Sequence, residues 1–272
     1  METLTLECDR SRKDLLIAEL HEAGTLGVIE DELPDGRCRL QAFFERDAGV
    51  AELSSRFSSY QAICGQTAPV DWVGMARAAW EPLSIGERLF LVPSWRPDAT
   101  PPGRLRLEMP PGTASGTGLH TSTQLALEAV ERSILAGDRF LDLGTGSGIL
   151  SAAACLMGAG TVVACDIDGE AVREARRYLY ACQAGALFYT GSSGGLRHGW
   201  FDVAAANIHA QALAWLVADI ARILKPGGRA ILGGFTDDQV PLLDPLLAAA
   251  GLQVRERLSR VEWICLIAIA GS

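Results

Sequence analysis

The chain has 272 residues, 49% of them apolar, and a formal net charge of −9. That length accommodates one large domain or two smaller ones with a sizeable core, and the acidic balance excludes a nucleic-acid binder with a basic face. Through Pro97 there are 10 Lys+Arg against 16 Asp+Glu, net −6, and thereafter 14 against 17, net −3, so the acidity is concentrated at the front and suits a basic partner.

The N-terminus METLTLECDRSRKD reaches charged residues at once, without an apolar h-region or cleavage site, so a cytoplasmic location is expected. TLTLEC reads as a strand, SRKDLLIAELHEAG as a helix closed by Gly24, and TLGVIEDEL with RCRLQAFFE as a hairpin around Pro34-Asp35-Gly36. A helix over AGVAELSSRFSSYQ and a short strand near Ala62 complete a β-α-β-β-α-β order. This is the ferredoxin-like arrangement. It places a small α+β domain over residues 1–71. No nucleophile and base, metal cluster or phosphate loop occurs there, so it reads as a small accessory domain, and the job open to it is substrate recognition.

Residues 72–103 form a linker and packing segment. It holds three of the six tryptophans and ends in RPDATPPGR, the most proline-rich window of the chain. From residue 104 to 272 strands and helices alternate: RFLDLG, ILSAAACLMG, TVVACDID, GEAVREARRYLYAC, ALFYTG, FDVAAANI, LAWLVADIARILKPGG, RAILGGF, a helix to Gly251, then strands around LQVRERL and EWICLIAIA. Such alternation predicts an α/β domain with a parallel sheet covered by helices on both faces. The run GILSAAACLMGAGTVVACDI is interrupted by Gly158 and Gly160 and ends in acidic residues, which predicts a buried helix, turn and strand rather than a membrane span. The seven cysteines form no C-x-x-C and are odd in number, against a zinc knuckle or a disulfide framework; no metal is expected.

The chemistry is carried by Phe140-Leu-Asp-Leu-Gly-Thr-Gly-Ser-Gly-Ile-Leu, a strand running into a glycine loop and then a helix. Glycines at 144, 146 and 148 give G-x-G-x-G. The dinucleotide fingerprint needs its third glycine at 149, where Ile149 stands, so a nicotinamide site is disfavoured. Asp166 is the first polar residue after the next apolar strand, 22 residues beyond Gly144, where a carboxylate can accept bonds from both ribose hydroxyls of an adenosine. Asp168 competes for that role, and both Asp142 and Asp168 also suit turn or cap chemistry. A loop without a pyrophosphate fingerprint followed by a ribose-binding acid describes an S-adenosylmethionine site. Asn207, ending FDVAAAN, offers a carbonyl oxygen that can orient an amine nucleophile and an amide that can hold the cofactor. Thr121-x-x-Gln124 reads as a capping box at the start of a helix. His209 is open between a general base and a surface or packing residue.

The set SGTGLHTSTQLALEAV, LDLGTGSGILSAAA, VACDID, FDVAAANI, ILKPGGRAILGG and the late EW resembles the bacterial ribosomal protein L11 methyltransferase family, from about Trp72 to the C-terminus. The resemblance implies a Rossmann-like seven-stranded methyltransferase sheet behind the ferredoxin-like domain and an S-adenosylmethionine-dependent protein N-methyltransferase. Its expected acceptors are lysine side-chain or N-terminal amines of a basic ribosomal protein substrate. It implies cofactor contacts at Thr123, Gly144, Asp166 and Asn207, to which the loop reading adds Gly146. The catalytic role falls to Asn207, and a monomer is expected, without direct nucleic-acid or membrane binding. Three positions depart from the family's pattern: Ser115 for Phe before G-T-G, His120-Thr121-Ser122-Thr123 for H-P-T-T, and His209-Ala210 for Leu-Ala. They keep open another protein lysine or small amine as acceptor, or a non-catalytic S-adenosylmethionine-binding protein.

Overall fold

The computed structural model describes residues 1–46, 48–67, 74, 80–110 and 118–271. Trp72 and Ser115 lie outside the described residues. The chain divides into two compact units, Met1–Ala79 and Trp80–Ser272.

In the first unit, β1 (Glu2–Asp9), α1 (Lys13–Glu22), β2 (Gly27–Glu32), β3 (Arg37–Phe44), α2 (Val50–Arg56) and β4 (Ile63–Gln66) follow in the expected order. The sheet runs β2-β3-β1-β4, and every neighbouring pair is antiparallel. The β2–β3 turn falls at Pro34-Asp35-Gly36. Gly36 is left-handed there (φ +82), and the Asp35 carboxylate accepts from the Arg37 amide at 3.1 Å. Leu4 and Leu6 of β1, Leu40 and Phe44 of β3, Leu16 and Leu20 of α1, and Phe57 close one apolar core. Alternation along β1 puts the charged Glu7 on the other face, where Arg37 and Arg39 pair with it.

The second unit begins with β5 (Leu83–Ile85) and β6 (Leu89–Pro93), an antiparallel hairpin, to which β7 (Leu105–Met109) adds in parallel. Trp80 meets Trp95 edge-on at 5.4 Å, and Trp80 and Leu83 pack on the main core. Then come α3 (Thr121–Ser133), β8 (Arg139–Leu143), α4 (Ile149–Leu156), β9 (Thr161–Asp166), α5 (Gly169–Ala181), β10 (Leu187–Thr190), β11 (Phe201–Asn207), α6 (Ala210–Ile223), β12 (Leu224–Thr236), α7 (Val240–Ala249), β13 (Leu252–Arg260) and β14 (Trp263–Ala270).

These strands form a seven-stranded sheet in the order β10-β9-β8-β11-β12-β14-β13. Strands β8 to β12 run parallel, and β14 inserts antiparallel between β12 and β13. This mixed sheet is the Rossmann-like arrangement expected. Successive residues point to opposite faces, so Val203 and Ala205 join the core under α3 and α4 while Ala204 and Ala206 join the one under α6 and α7. With both faces covered, such strands read as continuous apolar runs. One boundary differs from expectation: α6 stops at Ile223, and Lys225-Pro226-Gly227-Gly228 belongs to the start of β12, where Pro226 cannot continue a helix.

Among the described residues no helix is long and apolar enough to cross a membrane, and no group of three or more His, Cys, Asp or Glu could hold a metal ion. The cysteines are free; burial pushes the thiols of Cys155 and Cys165 up to about 11 and that of Cys265 to about 12. None of these three is a ready nucleophile.

Candidate active site

A cleft of about 600 Å³ opens at the carboxyl ends of β8, β9 and β11, where open parallel sheets place their ligands. It brings together all five residues singled out from the sequence: Thr123, Gly144, Gly146, Asp166 and Asn207.

The floor is the loop from β8 to α4. The amides of Gly144 and Thr145 both donate to the Cys165 carbonyl at 2.9 Å, tying the loop to the end of β9. Asp142, 1% exposed, braces it from beneath: its Oδ2 accepts from Thr145 Oγ1 at 2.8 Å, Ser151 Oγ at 2.6 Å and the Ser151 amide at 3.1 Å. Burial raises its carboxyl above the ordinary aspartate range, against which these three donors work. Asp142 is therefore a loop brace, the turn-chemistry alternative. Asp142→Ala would strand two buried hydroxyls and an amide, each costing on the order of 1–3 kcal/mol. We expect a loss of about 3 kcal/mol, read as a melting temperature lower by roughly 10 °C in circular dichroism.

Asp166 and Asp168 separate by role. Asp168 caps α5, accepting from the Glu170 amide at 2.8 Å. Asp166 faces the cleft; Oδ2 accepts from the Gly146 amide and Oδ1 from the Asp168 amide, each at 3.0 Å. An ionised carboxylate has about four acceptor sites, so two remain for a pair of hydroxyls. Beside it stands Ile167, 82% exposed, an apolar shelf that a flat heteroaromatic ring would cover. Sequence reading missed Ile167 and the Gly191-Ser192 wall, since a lone apolar residue after a strand carries no pattern.

Over the cleft sits the first turn of α3. The expected capping box is displaced by one residue: the N-cap is His120, whose Nδ1 accepts from the Ser122 amide at 3.3 Å and lies 2.8 Å from Ser122 Oγ. Thr121 is thus already inside the helix, and Gln124 Nε2 donates to the Leu119 carbonyl at 2.9 Å. The His120 ring meets Trp263 edge-on at 4.5 Å. This fixes the turn that carries the buried Thr123 into the cleft.

Asn207 ends β11 with its Oδ1 buried and without a hydrogen-bond partner. Buried acceptors are almost always satisfied, so this orphan stands out; the residue lines the cleft, while Oδ1 itself lies against Gly233 of β12. His209, two residues on, caps α6: its Nδ1 accepts from the Ala212 amide at 3.2 Å. In this pose Nδ1 is engaged at the start of the helix.

These features fit an adenosine-bearing sulfonium cofactor: hydroxyl acceptors at Asp166, close backbone approach at Gly144 and Gly146, and an unpartnered oxygen at Asn207. The family described as ribosomal protein L11 methyltransferase (PrmA) matches residues 2–270. A ribosomal protein L11 methyltransferase of Geobacter metallireducens is 39% identical over 201 residues, 74% of this chain and 67% of that protein. One from Burkholderia cenocepacia is 37% identical over 252 residues, 89% and 82% of the two chains. Among solved structures, ribosomal protein L11 methylase from Lactobacillus delbrueckii subsp. bulgaricus superimposes with a TM-score of 0.65 at 28% identity, covering 71% of this chain and 100% of that one.

Proposed function

The chain belongs to the ribosomal protein L11 methyltransferase family, and from that premise we propose that it N-methylates lysine side-chain and/or N-terminal amines of large-subunit ribosomal protein L11, in the cytoplasm, as a monomer. The observation that carries the reading is the one cleft lined by Thr123, Gly144, Gly146, Asp166 and Asn207; a turn of the Asn207 carboxamide would bring its orphaned Oδ1 to the acceptor amine.

When bound, S-adenosylmethionine supplies a methyl group already activated by its sulfonium. Asp166 would hold the ribose hydroxyls, Gly144 and Gly146 the backbone approach, and Thr123 the open side of the cofactor from α3. What remains for the chain is alignment and exclusion of water, the larger part of such catalysis. Asn207 Oδ1 accepts an N–H of the incoming amine and so orients its lone pair. A lysine amine titrates near 10.4 in water, so it must shed its proton; the apolar walls at Ile208 and Leu216 disfavour the charged form. The proton leaves to solvent, because His209 has committed Nδ1 to the helix cap.

The test is intact-mass spectrometry of unmethylated L11 incubated with the protein and S-adenosylmethionine. Gains in methyl steps are expected. No gain, with cofactor binding intact by calorimetry, moves the acceptor to another amine.

In the same reading the first unit docks the basic substrate. Its own apolar core supports a separable role, and its acidic excess supplies steering. Removing residues 1–70 should raise the apparent KM for L11 at least tenfold with cofactor affinity unchanged. Lost cofactor binding would make the unit a folding element instead.

A further inference from the structure

Any polypeptide that delivers an amine to Asn207 must cross the mouth of the cleft, and one side of that mouth is the beginning of α6. Ala212 and Leu216, a helical turn apart, line the cleft, and His209 lines it at the cap. One step further round the same helix is Trp215, 76% exposed. An indole left in water is a large unburied apolar surface of the kind enriched at binding hot spots. Trp215 points away from the face of α6 that buries Leu213, Val217 and Ile220, so it contributes nothing to the core.

We propose that the cap and first two turns of α6 are the docking rim for the acceptor-bearing segment of the substrate. The proposal rests on the reading of the cleft as a methyl-transfer site. His209 is the polar contact: with Nδ1 accepting from Ala212, Nε2–H is left as a donor, and it meets a peptide carbonyl flanking the acceptor residue. Trp215 is the apolar contact, its ring face receiving the aliphatic stem and cationic head of a neighbouring lysine or arginine. The occupant is the lysine-bearing peptide segment of the substrate, because His209, Ala212 and Leu216 line the same cleft as Asn207 and an amine delivered there brings its flanking residues across this rim. A rim contact outside the cleft favours an amine carried on a polypeptide over a free small amine.

The experiment compares His209→Asn, His209→Ala and Trp215→Ala in the full chain, with unmethylated L11 as substrate. Asparagine is among the best N-caps, so His209→Asn keeps the helix start while removing the ring. Expected are an apparent KM for L11 raised about fivefold in both His209→Asn and Trp215→Ala, kcat at saturating L11 within twofold, and unchanged affinity for S-adenosylmethionine. His209→Ala should lower the melting temperature; His209→Asn should restore it without restoring KM. Wild-type KM in both His209→Asn and Trp215→Ala overturns the rim. A fall in kcat at unchanged KM in His209→Asn also overturns it, by assigning the ring to the chemistry. If the wild-type chain itself transfers no methyl to L11, the reading of the site fails and the rim with it, an outcome distinct from the other two.

Discussion

Asn207→Ala should lower kcat for methyl transfer to L11 by about 10²–10³-fold, the size of effect seen when one preorganised polar contact to a reacting centre is removed. Its Oδ1 is buried and has no partner among the described residues, so truncation leaves no protein donor stranded. The fold should therefore be unaffected, and cofactor affinity, for which Asp166 and the glycine loop are the proposed contacts, should fall far less than kcat. Asn207→Asp separates acceptor from charge. The carboxylate still accepts an N–H, but an opposite charge within about 4–6 Å favours the protonated amine. Its activity should be low at neutral pH and recover as pH rises, moving the optimum upward. Stopped-flow or discontinuous mass assays across pH measure both. Full turnover by Asn207→Ala would remove Asn207 from the mechanism.

The sheet was legible in the sequence because its strands are buried on both faces and its helices are punctuated. Apolar runs such as Val162-Val163-Ala164-Cys165 end at an acid, and left-handed glycines follow α1, α4 and α7 at Gly24, Gly158 and Gly251. The residues of the proposed site were legible because they have few other uses, a glycine loop, an acid ending one strand and an amide ending another, and they line one cleft. What escaped was set by local competition. Thr121 and His120 can both cap α3, and only the backbone decides that the imidazole takes the Ser122 amide. Between Asp166 and Asp168 the sequence favoured Asp166, and the helix start indeed takes Asp168 as its cap while Asp166 lines the cleft. The Lys225-Pro226-Gly227-Gly228 turn reads as a helix end, yet it is absorbed into a strand with a register shift against β11 between Phe201 and Val203. The cap role of His209 was illegible for the same reason, since histidine is an uncommon N-cap whose alternatives include a base.

Gly144→Ala should damage cofactor loop and acceptor strand together. Gly144 is left-handed at φ +75, which costs a residue bearing a Cβ about 1–2 kcal/mol. The added methyl would also stand 2.5 Å from Ile208 Cγ2. That methyl sits on a β-branched carbon with little χ1 freedom. Nor can the Ile208 backbone retreat toward β12, because it already lies so close to Gly234 that a Cβ there would be 2.6 Å from the Ile208 carbonyl oxygen. Ile208 is thus held between two glycines, and its chain neighbour Asn207 is held with it. The strain must be released by moving either the loop, which loses the Gly146–Asp166 contact, or the Asn207 carboxamide, and an ångström of misplacement costs about a hundredfold in rate. Expected are at least a tenfold weaker affinity for S-adenosylmethionine by calorimetry and a kcat lower by one to two orders of magnitude. Gly137→Ala provides the control: its φ is +88, and nothing lies within 4 Å of the Cβ it would gain. It lies before β8, at the end of the sheet away from the cleft. It should lose only the 1–2 kcal/mol of left-handed strain, with catalysis intact. Equal damage from the two substitutions would show that backbone strain alone accounts for the effect at Gly144 and that the wedge on Ile208 transmits nothing to Asn207.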